Sequence, residues 1–279
     1  MRSIEGKSIL ITGAALGMGK LYAQLAAKEN ARAIVLWDVT ELALNAVADE
    51  LRKGGSEVHE HFVDVSRLDA IHETAAKVRN DVGDVDILIN NAGVVRGKYF
   101  WEHDHREDIQ YTMSINALAP MHITREFLPG MIKNRREARV VNIASAAGLL
   151  SNPKMSVYCG SKWAATGWSD SVRLELQQAG HDHVKVTTVC PSYISTGMFE
   201  GAKAPLFTPI LKPEIVARRV WKAMKVGKPF LTMPWMVRQS MFLRGVLPIR
   251  AWDFLADKVF GVYRSMDGFE GRGTTSSMT

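Results

Sequence analysis

The sequence predicts a single-domain α/β fold, a doubly wound parallel sheet of about seven strands with helices on both faces. Two observations predict it: short apolar, β-branched segments recur along the chain, and amphipathic helical patterns fill the intervals between them. Because parallel neighbours require long, right-handed crossovers, this alternation of strand and helix favours the doubly wound arrangement. The predicted strands are SILIT, AIVLW, HFVDV, DILIN, RVVNIA, VKVTTVC and FLTM.

Turn residues and periodicity delimit two of the intervening helices. Thr40 is placed to cap a helix that ends at Gly54. Ser66 begins another helix, which Gly83 follows. The apolar faces consist of Leu44, Val47 and Leu51 in the first helix and of Ile71, Ala75, Val78 and Val82 in the second.

Two segments depart from the alternation, although residues 1–279 are predicted to form one domain. Residues 192–213 follow the sixth predicted strand and mix glycine, proline and apolar residues, so we interpret them as a substrate loop. Residues 229–279 are rich in Trp, Phe, Met and Leu with interspersed arginines, and we interpret them as a helical, aromatic C-terminal extension.

Composition excludes several classes of protein. The hydrophobic content of 47% supplies a sizeable core, and the net charge of +6 is spread along the chain, so nucleic-acid binding is not favoured. Cys159 and Cys190 form neither a disulfide framework nor a zinc cluster. The two HDH segments are expected to be polar loops, so no metal site is predicted.

The N-terminal sequence and the cysteine content predict a cytoplasmic protein. Glu5 and Lys7 precede the first apolar run, which does not fit a signal peptide. No run of about eighteen apolar residues predicts a membrane span.

The first predicted strand leads directly into TGAALGMG and then into a helix. Gly13, Gly17 and Gly19 permit a tight turn, close backbone approach to a phosphate and close helix packing. The N–H groups at the start of the helix favour an anion. The pattern therefore predicts a dinucleotide site, although its G-x-x-x-G-x-G spacing also occurs in purely structural turns.

Asp38 ends the second predicted strand, nineteen residues after Gly19. A carboxylate at this position can accept hydrogen bonds from an adenosine ribose and would repel a 2′-phosphate, so NAD is predicted in preference to NADP. The alternative is that Asp38 caps the following helix.

Polar residues also end the third and fourth predicted strands. Asp64 lies in VDV, and NNAG occupies residues 90–93. Ligands of open α/β sheets bind at this edge, but Asn and Gly are also ordinary turn residues.

The segment YCGSK places Tyr158 and Lys162 four residues apart in a predicted helix, so their side chains lie on the same face. A nearby positive charge favours the ionised form of a phenol, which is one way to build a general acid or base. By itself the pair also fits a surface tyrosine beside a solvated lysine.

Taken in order, these motifs resemble those of the short-chain dehydrogenase/reductase family over nearly the whole chain. The resemblance implies a Rossmann fold and a catalytic tetrad of Asn116, Ser145, Tyr158 and Lys162. In PSYIST, which resembles the nicotinamide loop of the family, Ser192 stands where glycine is usual. The cofactor site that the resemblance implies consists of Gly13, Leu16, Gly17, Met18, Gly19, Asp38, Asp64, Val65, Asn90, Ala92, Tyr158, Lys162, Ile194 and Thr196.

The expected chemistry is hydride transfer to or from a nicotinamide, with Tyr158 as the acid and base. Lys162 is expected to lower the pKa of Tyr158 by two to three units, about 3–4 kcal/mol, together with the cofactor charge. By resemblance Lys162 also holds the nicotinamide ribose. Ser145 can donate a hydrogen bond to the developing oxyanion.

Asn116 precedes Pro120 by four residues, and proline lacks the N–H that would close the helical hydrogen bond. We therefore expect the Asn116 carbonyl to hold a water in a proton relay from Tyr158 and Lys162. The alternative is that Pro120 only kinks or starts a helix.

The predicted substrate is a lipophilic alcohol or its carbonyl counterpart. NNAGVVRGK and SMDGFEGRG resemble the subfamily of retinol dehydrogenases and some 17β-hydroxysteroid dehydrogenases. Apolar residues near the predicted site line a pocket or pack a lid onto the core. They are Val94, Val95, Tyr99, Phe100, Trp101, Met198, Phe199, Leu206, Phe207, Ile210 and Leu211.

The sequence thus predicts an NAD-dependent short-chain alcohol dehydrogenase or carbonyl reductase. By resemblance, the helices that carry Asn116 and Tyr158 form the contacts of a homodimer or homotetramer. The C-terminal extension is expected to be a helical cap or subunit contact, or to lie on an anionic membrane surface. The alternatives are a nucleotide-binding regulatory protein without turnover and a peripheral membrane protein that acts through this extension.

Overall fold

A computed structural model describes residue 1 and residues 3–271, so the last eight residues of the predicted C-terminal extension lie outside the described residues. Seven strands form one sheet, which confirms the predicted fold class. They are β1 (Ser8–Thr12), β2 (Ala33–Asp38), β3 (Val58–Phe62), β4 (Ile87–Asn90), β5 (Ala138–Ile143), β6 (Val184–Pro191) and β7 (Phe230–Met233).

The strands lie in the order β3-β2-β1-β4-β5-β6-β7, and every neighbouring pair is parallel. The order reverses between β1 and β4, and an open α/β sheet of this kind has its ligand crevice at such a reversal, beyond the carboxyl ends of the strands. The topology therefore locates the expected site before any side chain is considered.

Helices cover both faces of the sheet. They are α1 (Gly17–Lys28), α2 (Glu41–Lys53), α3 (Leu68–Asp81), α4 (Tyr111–Met113), α5 (Ala119–Asn134), α6 (Ser156–Gln178), α7 (Pro213–Val226), α8 (Trp235–Val246) and α9 (Ile249–Phe254). Shorter π-helical turns span His105–Gln110, Ser114–Leu118 and Leu255–Val259.

The hydrophobic core lies in two layers, one on each face. Ile9 and Ile11 of β1 pack with α1, α2 and α7, whereas Leu10 packs with α3, α5 and α6. Because successive strand side chains point to opposite faces, each buried strand needs apolar residues at nearly every position. This explains why the predicted strands appear as continuous apolar runs.

The third strand was predicted too late in the chain. The predicted segment HFVDV covers residues 61–65, but β3 spans Val58–Phe62, with Val58 beside Ile34. β3 lies at the sheet edge and pairs only with β2, so it tolerates polar residues that obscure its pattern. Ser66 likewise belongs to a turn, and α3 begins at Leu68.

The described residues contain neither a helix long and apolar enough to cross a membrane nor a group of three or more metal-ligating side chains.

Candidate active site

A cleft of about 250 Å³ opens at the carboxyl ends of the strands, and we call it the main cleft. Most of the predicted site residues line it, although they come from distant parts of the sequence. They are Gly13, Leu16, Gly17, Met18, Asp38, Asp64, Val65, Ala92, Ser145, Tyr158, Lys162, Ile194 and Thr196.

Residues 12–19, the glycine turn, form one wall of the main cleft. Gly13 and Gly17 have φ of 64° and 52°, a left-handed conformation that favours glycine. A Cβ at Gly13 would lie 2.9 Å from Ala92 Cα. Leu16, the N-cap residue of α1, makes no side-chain hydrogen bond to the helix, so the start of α1 suits an anion in the cleft.

Gly19 does not line the main cleft. A Cβ there would lie 1.9 Å from the Gly13 carbonyl oxygen, so Gly19 allows α1 to pack against the turn. This is the third of the three roles expected for the glycines.

Asp38 holds the glycine turn from the neighbouring strand. One carboxylate oxygen accepts a hydrogen bond from Ala15 N and the other from Thr40 N, each at 2.9 Å. The bond to Thr40 N forms a turn just before α2, whose N-cap residue is Thr40, so Asp38 does not cap the helix itself, and it also lines the cleft. Each of its oxygens retains further acceptor capacity for a ligand hydroxyl.

Asn90 departs from its predicted role in cofactor binding. Its amide nitrogen donates to Thr124 Oγ1 at 3.0 Å and to Asn142 Oδ1 at 2.8 Å, within the buried sheet. Asn142 in turn donates to Ser169 Oγ at 2.8 Å. Asn90 is 3% exposed and does not line the main cleft, because its side chain points into this network.

The second asparagine of NNAG is the one that shapes the cleft, and sequence reasoning did not single it out. Asn91 Nδ2 donates to Thr12 O at 3.0 Å and to Gly13 O at 3.1 Å. Thr12 Oγ1 accepts from the backbone N–H groups of Asn91 and Ala92, both at 3.0 Å. The alternation of side chains along β4 was the available signal, since neighbouring residues face opposite sides.

Asp64 lies two residues beyond β3, where its Oδ1 accepts a hydrogen bond from Ser66 N at 2.9 Å. Together with Val65 it lines the same part of the main cleft as Asp38. Asp64 and Val65 therefore both lie at the cleft, as the predicted cofactor site requires, although they belong to a turn after β3 and not to the strand.

Tyr158 and Ser145 meet at the inner end of the main cleft. Tyr158 is 4% exposed, and the Ser145 side chain lies near its phenol, where it lowers the pKa of Tyr158. Ser145 follows β5, and its hydroxyl accepts from Ala147 N at 3.1 Å. α6 brings Tyr158 to this position, so strand end and helix together create the pair.

The electrostatics of this pair differ from the expectation. Burial raises the pKa of Tyr158 above its ordinary value, and the nearby Ser145 side chain only partly offsets that effect. The protein alone therefore favours the neutral phenol, because desolvation penalises the phenolate.

Lys162 lies one turn after Tyr158, with its Nζ 5.8 Å from the centre of the tyrosine ring. Nζ donates a hydrogen bond to Ile143 O at 2.9 Å. Burial lowers the pKa of Lys162 to about 8. The ammonium group thus borders the cleft in an environment that disfavours its charge.

Asn116 supports the cleft from behind. Its Oδ1 accepts from Val94 N at 2.9 Å, and its Nδ2 donates to Val94 O at 2.8 Å and to Ser161 Oγ at 3.1 Å. The side chain is therefore committed to positioning the segment after NNAG. Asn116 does not line the cleft itself.

The helix around Asn116 widens into a π-helical turn, Ser114–Leu118, in which Ala119 N donates to Ser114 O five residues earlier. Pro120 is the second residue of α5, where its missing N–H is tolerated. Pro120 therefore starts a helix, as the alternative stated, and the water relay through the Asn116 carbonyl stays a prediction.

A second cavity of about 80 Å³, the side cavity, adjoins the main cleft, and both are lined by Ser145, Ser192 and Phe199. Only a minority of the predicted apolar residues reach either cavity, namely Val94, Met198 and Phe199. Among the others, Trp101 is 79% exposed and Phe207 is 65% exposed.

The remaining walls of the side cavity come from residues that the sequence did not single out, although the substrate loop and the C-terminal extension contribute several of them. They include Met155 before α6, Tyr193 of the substrate loop, and Val237 and Val262 of the C-terminal extension. The extension therefore forms part of this cavity. No local sequence pattern marks these residues, because they come together only when the chain folds.

Ser192 replaces the usual glycine without backbone strain. It is not one of the four described non-glycine residues with positive φ. Its N–H donates to Met233 O at 2.7 Å, which continues the pairing of β6 with β7.

Comparisons with known proteins agree with this geometry. The sequence model of a family described as short chain dehydrogenase matches residues 7–205. Epidermal retinol dehydrogenase 2 of Mus musculus is 38% identical over 97% of this chain and 87% of its own length. Estradiol 17-beta-dehydrogenase 11 of Rattus norvegicus is 35% identical over 96% of this chain and 89% of its own length.

Solved structures resemble the fold closely. A short-chain dehydrogenase/reductase from Burkholderia phymatum in complex with NAD superimposes with a TM-score of 0.80 at 29% identity, over 88% of this chain and 95% of its own. A metagenomic short-chain oxidoreductase in complex with NADP has a TM-score of 0.68 at 30% identity, over 82% of this chain and 95% of its own.

Proposed function

The chain belongs to the short-chain dehydrogenase family and is an oxidoreductase; we propose that it uses NAD(H) to interconvert a lipophilic alcohol and its carbonyl counterpart, a ketone from a secondary alcohol or an aldehyde from a primary one. One observation carries this proposal: the buried Tyr158 phenol meets Ser145 where the main cleft joins the side cavity. A reacting carbon placed at this junction would lie beside a proton donor and a hydrogen-bond donor.

The residues of the main cleft fit a dinucleotide. The glycine turn leaves no room for a Cβ at Gly13 and presents the uncapped start of α1, as a pyrophosphate site requires. Asp38 lies next to this turn with acceptor capacity to spare. Its negative charge favours a ribose hydroxyl over a 2′-phosphate, which supports NAD over NADP.

When bound, the nicotinamide supplies the hydride acceptor or donor. Tyr158 moves the proton: its hydroxyl protonates the carbonyl oxygen in reduction, and its phenolate takes the hydroxyl proton in oxidation. The raised pKa keeps Tyr158 in the protonated form that reduction uses. Oxidation requires loss of that proton, so its rate should rise with pH.

Ser145 orients the substrate oxygen, since its hydroxyl lies beside the tyrosine and can donate to the developing oxyanion. Lys162 places a positive charge 5.8 Å from the ring centre of Tyr158 and borders the cleft where a ribose would lie. Asn116 holds the segment after NNAG in position and, in the proposed relay, passes the proton onward through a water on its carbonyl.

The apolar walls of the side cavity support a lipophilic substrate. Two of the relatives are named for retinol and estradiol, and both names denote lipophilic alcohols. We also propose a homodimer or homotetramer in which α6 contributes exposed apolar residues, among them Trp163 and Leu174.

The test is turnover of a panel of steroid, retinoid, aliphatic and aromatic alcohols, followed by NADH and NADPH absorbance. Wild type should turn over lipophilic alcohols with NAD in preference to NADP, and Tyr158→Phe should lose about a hundredfold or more of kcat. NADH binding, measured by fluorescence, should survive the substitution. Full activity of Tyr158→Phe would overturn the mechanism, whereas NADH binding without any turnover by wild type would favour the regulatory alternative.

A further inference from the structure

The C-terminal extension carries an exposed apolar surface that the proposed chemistry does not use. Trp235, Phe242, Val246, Ile249 and Phe254 are between 59% and 70% exposed, and we call this set the apolar face. Five large apolar side chains that are exposed on two consecutive helices, α8 and α9, indicate an interaction surface more than scattered single ones do.

The apolar face and the side cavity lie on opposite sides of α8. Trp235, Phe242 and Val246 recur at spacings of seven and four residues, so they share one face of the helix. Val237 lies on the other side, where it lines the side cavity. The same helix is therefore a wall of the cavity and a support of the apolar face.

The substrate loop extends the apolar surface past the cavity. Leu206 and Phe207 are 52% and 65% exposed, while their neighbours Pro205 and Thr208 line the side cavity. Leu206 N donates to Phe260 O at 2.8 Å, which ties the loop to the C-terminal extension. Exposed apolar side chains therefore lie next to residues that line the side cavity, both in the substrate loop and in α8.

Positive charge accompanies the apolar face. None of the ion pairs among the described residues involves Arg238 of α8 or Arg250 of α9. Arg244 lies on the opposite side of α8, 5.9 Å from the centre of the Trp163 ring. Asp257 pairs with Lys258 and Arg264, whereas Asp253 accepts from Tyr263 Oη at 2.6 Å and keeps its negative charge. Residues 235–264 carry five basic and two acidic side chains, so the net charge of this region is positive.

We propose that the apolar face is a docking surface for an anionic phospholipid membrane. A bilayer surface offers hydrocarbon to the aromatic side chains and phosphates to the arginines, which is the pairing that a basic amphipathic surface fits. A second copy of the chain fits less well, because a symmetric contact would bring the same unpaired arginines together. Docking places the walls of the side cavity next to the bilayer, where lipophilic alcohols dissolve.

The test uses the full chain and sedimentation with vesicles of phosphatidylcholine, with or without phosphatidylserine. Wild type should bind vesicles that contain phosphatidylserine, less so at high salt, with a change in tryptophan fluorescence. The triple variant Trp235→Ser, Phe242→Ser, Ile249→Ser should bind about tenfold or more weakly. The matched control is Leu42→Ser with Val226→Ser, two apolar residues that are 74% and 70% exposed elsewhere; it should bind like wild type.

A charge variant, Arg238→Gln with Arg250→Gln, should lose the preference for phosphatidylserine. Turnover of a water-soluble alcohol should be unchanged in all variants, so a failure of docking is distinguishable from a failure of the proposed activity. The proposal is overturned if wild type binds neither vesicle, if the triple variant binds as well as wild type, or if the triple substitution instead changes the oligomeric state in sedimentation velocity.

Discussion

The glycine turn and the substrate loop border the same site but are held in place differently. Asp38 and Asn91, at the ends of β2 and β4, the two strands that flank β1, contact the backbone of the glycine turn at 2.9–3.1 Å. The substrate loop depends on a distant part of the chain, since Lys203 N donates to Ser265 O and Leu206 N to Phe260 O, both at 2.8 Å. The cofactor side is thus fixed by the sheet, whereas the substrate side can vary with the C-terminal extension.

The two regions also differ in packing. Gly13 and Gly19 have no room for even one additional carbon, so the glycine turn is set in a single conformation. The substrate loop leaves large apolar side chains in solvent and therefore has little buried area to resist opening. A rigid cofactor wall beside an adaptable substrate wall suits one reaction on varied lipophilic alcohols.

Lys162 lies between the two regions, and its replacement gives the largest expected effect. Burial lowers its pKa from 10.5 to about 8, so at neutral pH the buried charge costs about 3 kcal/mol. Lys162→Met removes that cost and also the hydrogen bond to Ile143, worth about 1 kcal/mol. The free energy of unfolding of the variant, measured in urea at neutral pH, should therefore be about 2 kcal/mol higher than that of wild type. Its kcat should fall about a hundredfold or more.

The pH dependence of wild-type stability follows from the direction in which burial shifts the pKa of Lys162. Between pH 8 and pH 10.5 the unfolded chain binds more protons at Lys162 than the folded protein does, so wild-type stability should rise across that window. Lys162→Met should lack the rise, whereas Lys222→Met, which removes an exposed lysine, should retain it. A variant less stable than wild type at neutral pH would contradict the assigned burial cost.

Gly19 tests the rigidity of the glycine turn. A Cβ at this position would lie 1.9 Å from Gly13 O, so Gly19→Ala should destabilise the protein by about 2–3 kcal/mol and weaken NADH binding. Gly167, in the middle of α6, has open space around its Cβ direction. Gly167→Ala should stabilise by up to about 1 kcal/mol in the same urea titration, and equal effects of the two would refute the packing argument.

The same contrast separates what the sequence could predict from what it could not. The strands of the sheet interior were predicted because burial on both faces requires uninterrupted apolar runs, and Asp38 was found because it follows such a run. The edge strand β3 was misplaced because its Val58 is followed by polar residues. Asn90 was chosen over Asn91 because sequence alone did not establish which one faces the cleft.

On the substrate side, apolar character could not distinguish cavity from surface. Phe199 and Phe207 belong to the same loop and have the same side chain, yet only Phe199 lines the cavities. The contribution of Val237 and Val262 depends on how the C-terminal extension folds back. Such long-range contacts leave no periodic signal in a single sequence.

The smallest expected effect comes from comparing these two phenylalanines. The Phe199 ring lies edge-on to Tyr158 at 5.9 Å and to Tyr193 at 5.2 Å, so Phe199→Ala removes both contacts, worth about 1 kcal/mol. We expect KM for a lipophilic alcohol to rise about fivefold while NADH affinity, fixed at the glycine turn, is kept. Phe207→Ala should change neither value in solution, because that ring is 65% exposed. If both substitutions raise KM equally, the loop closes over the substrate as a whole and the adaptable wall includes its exposed residues.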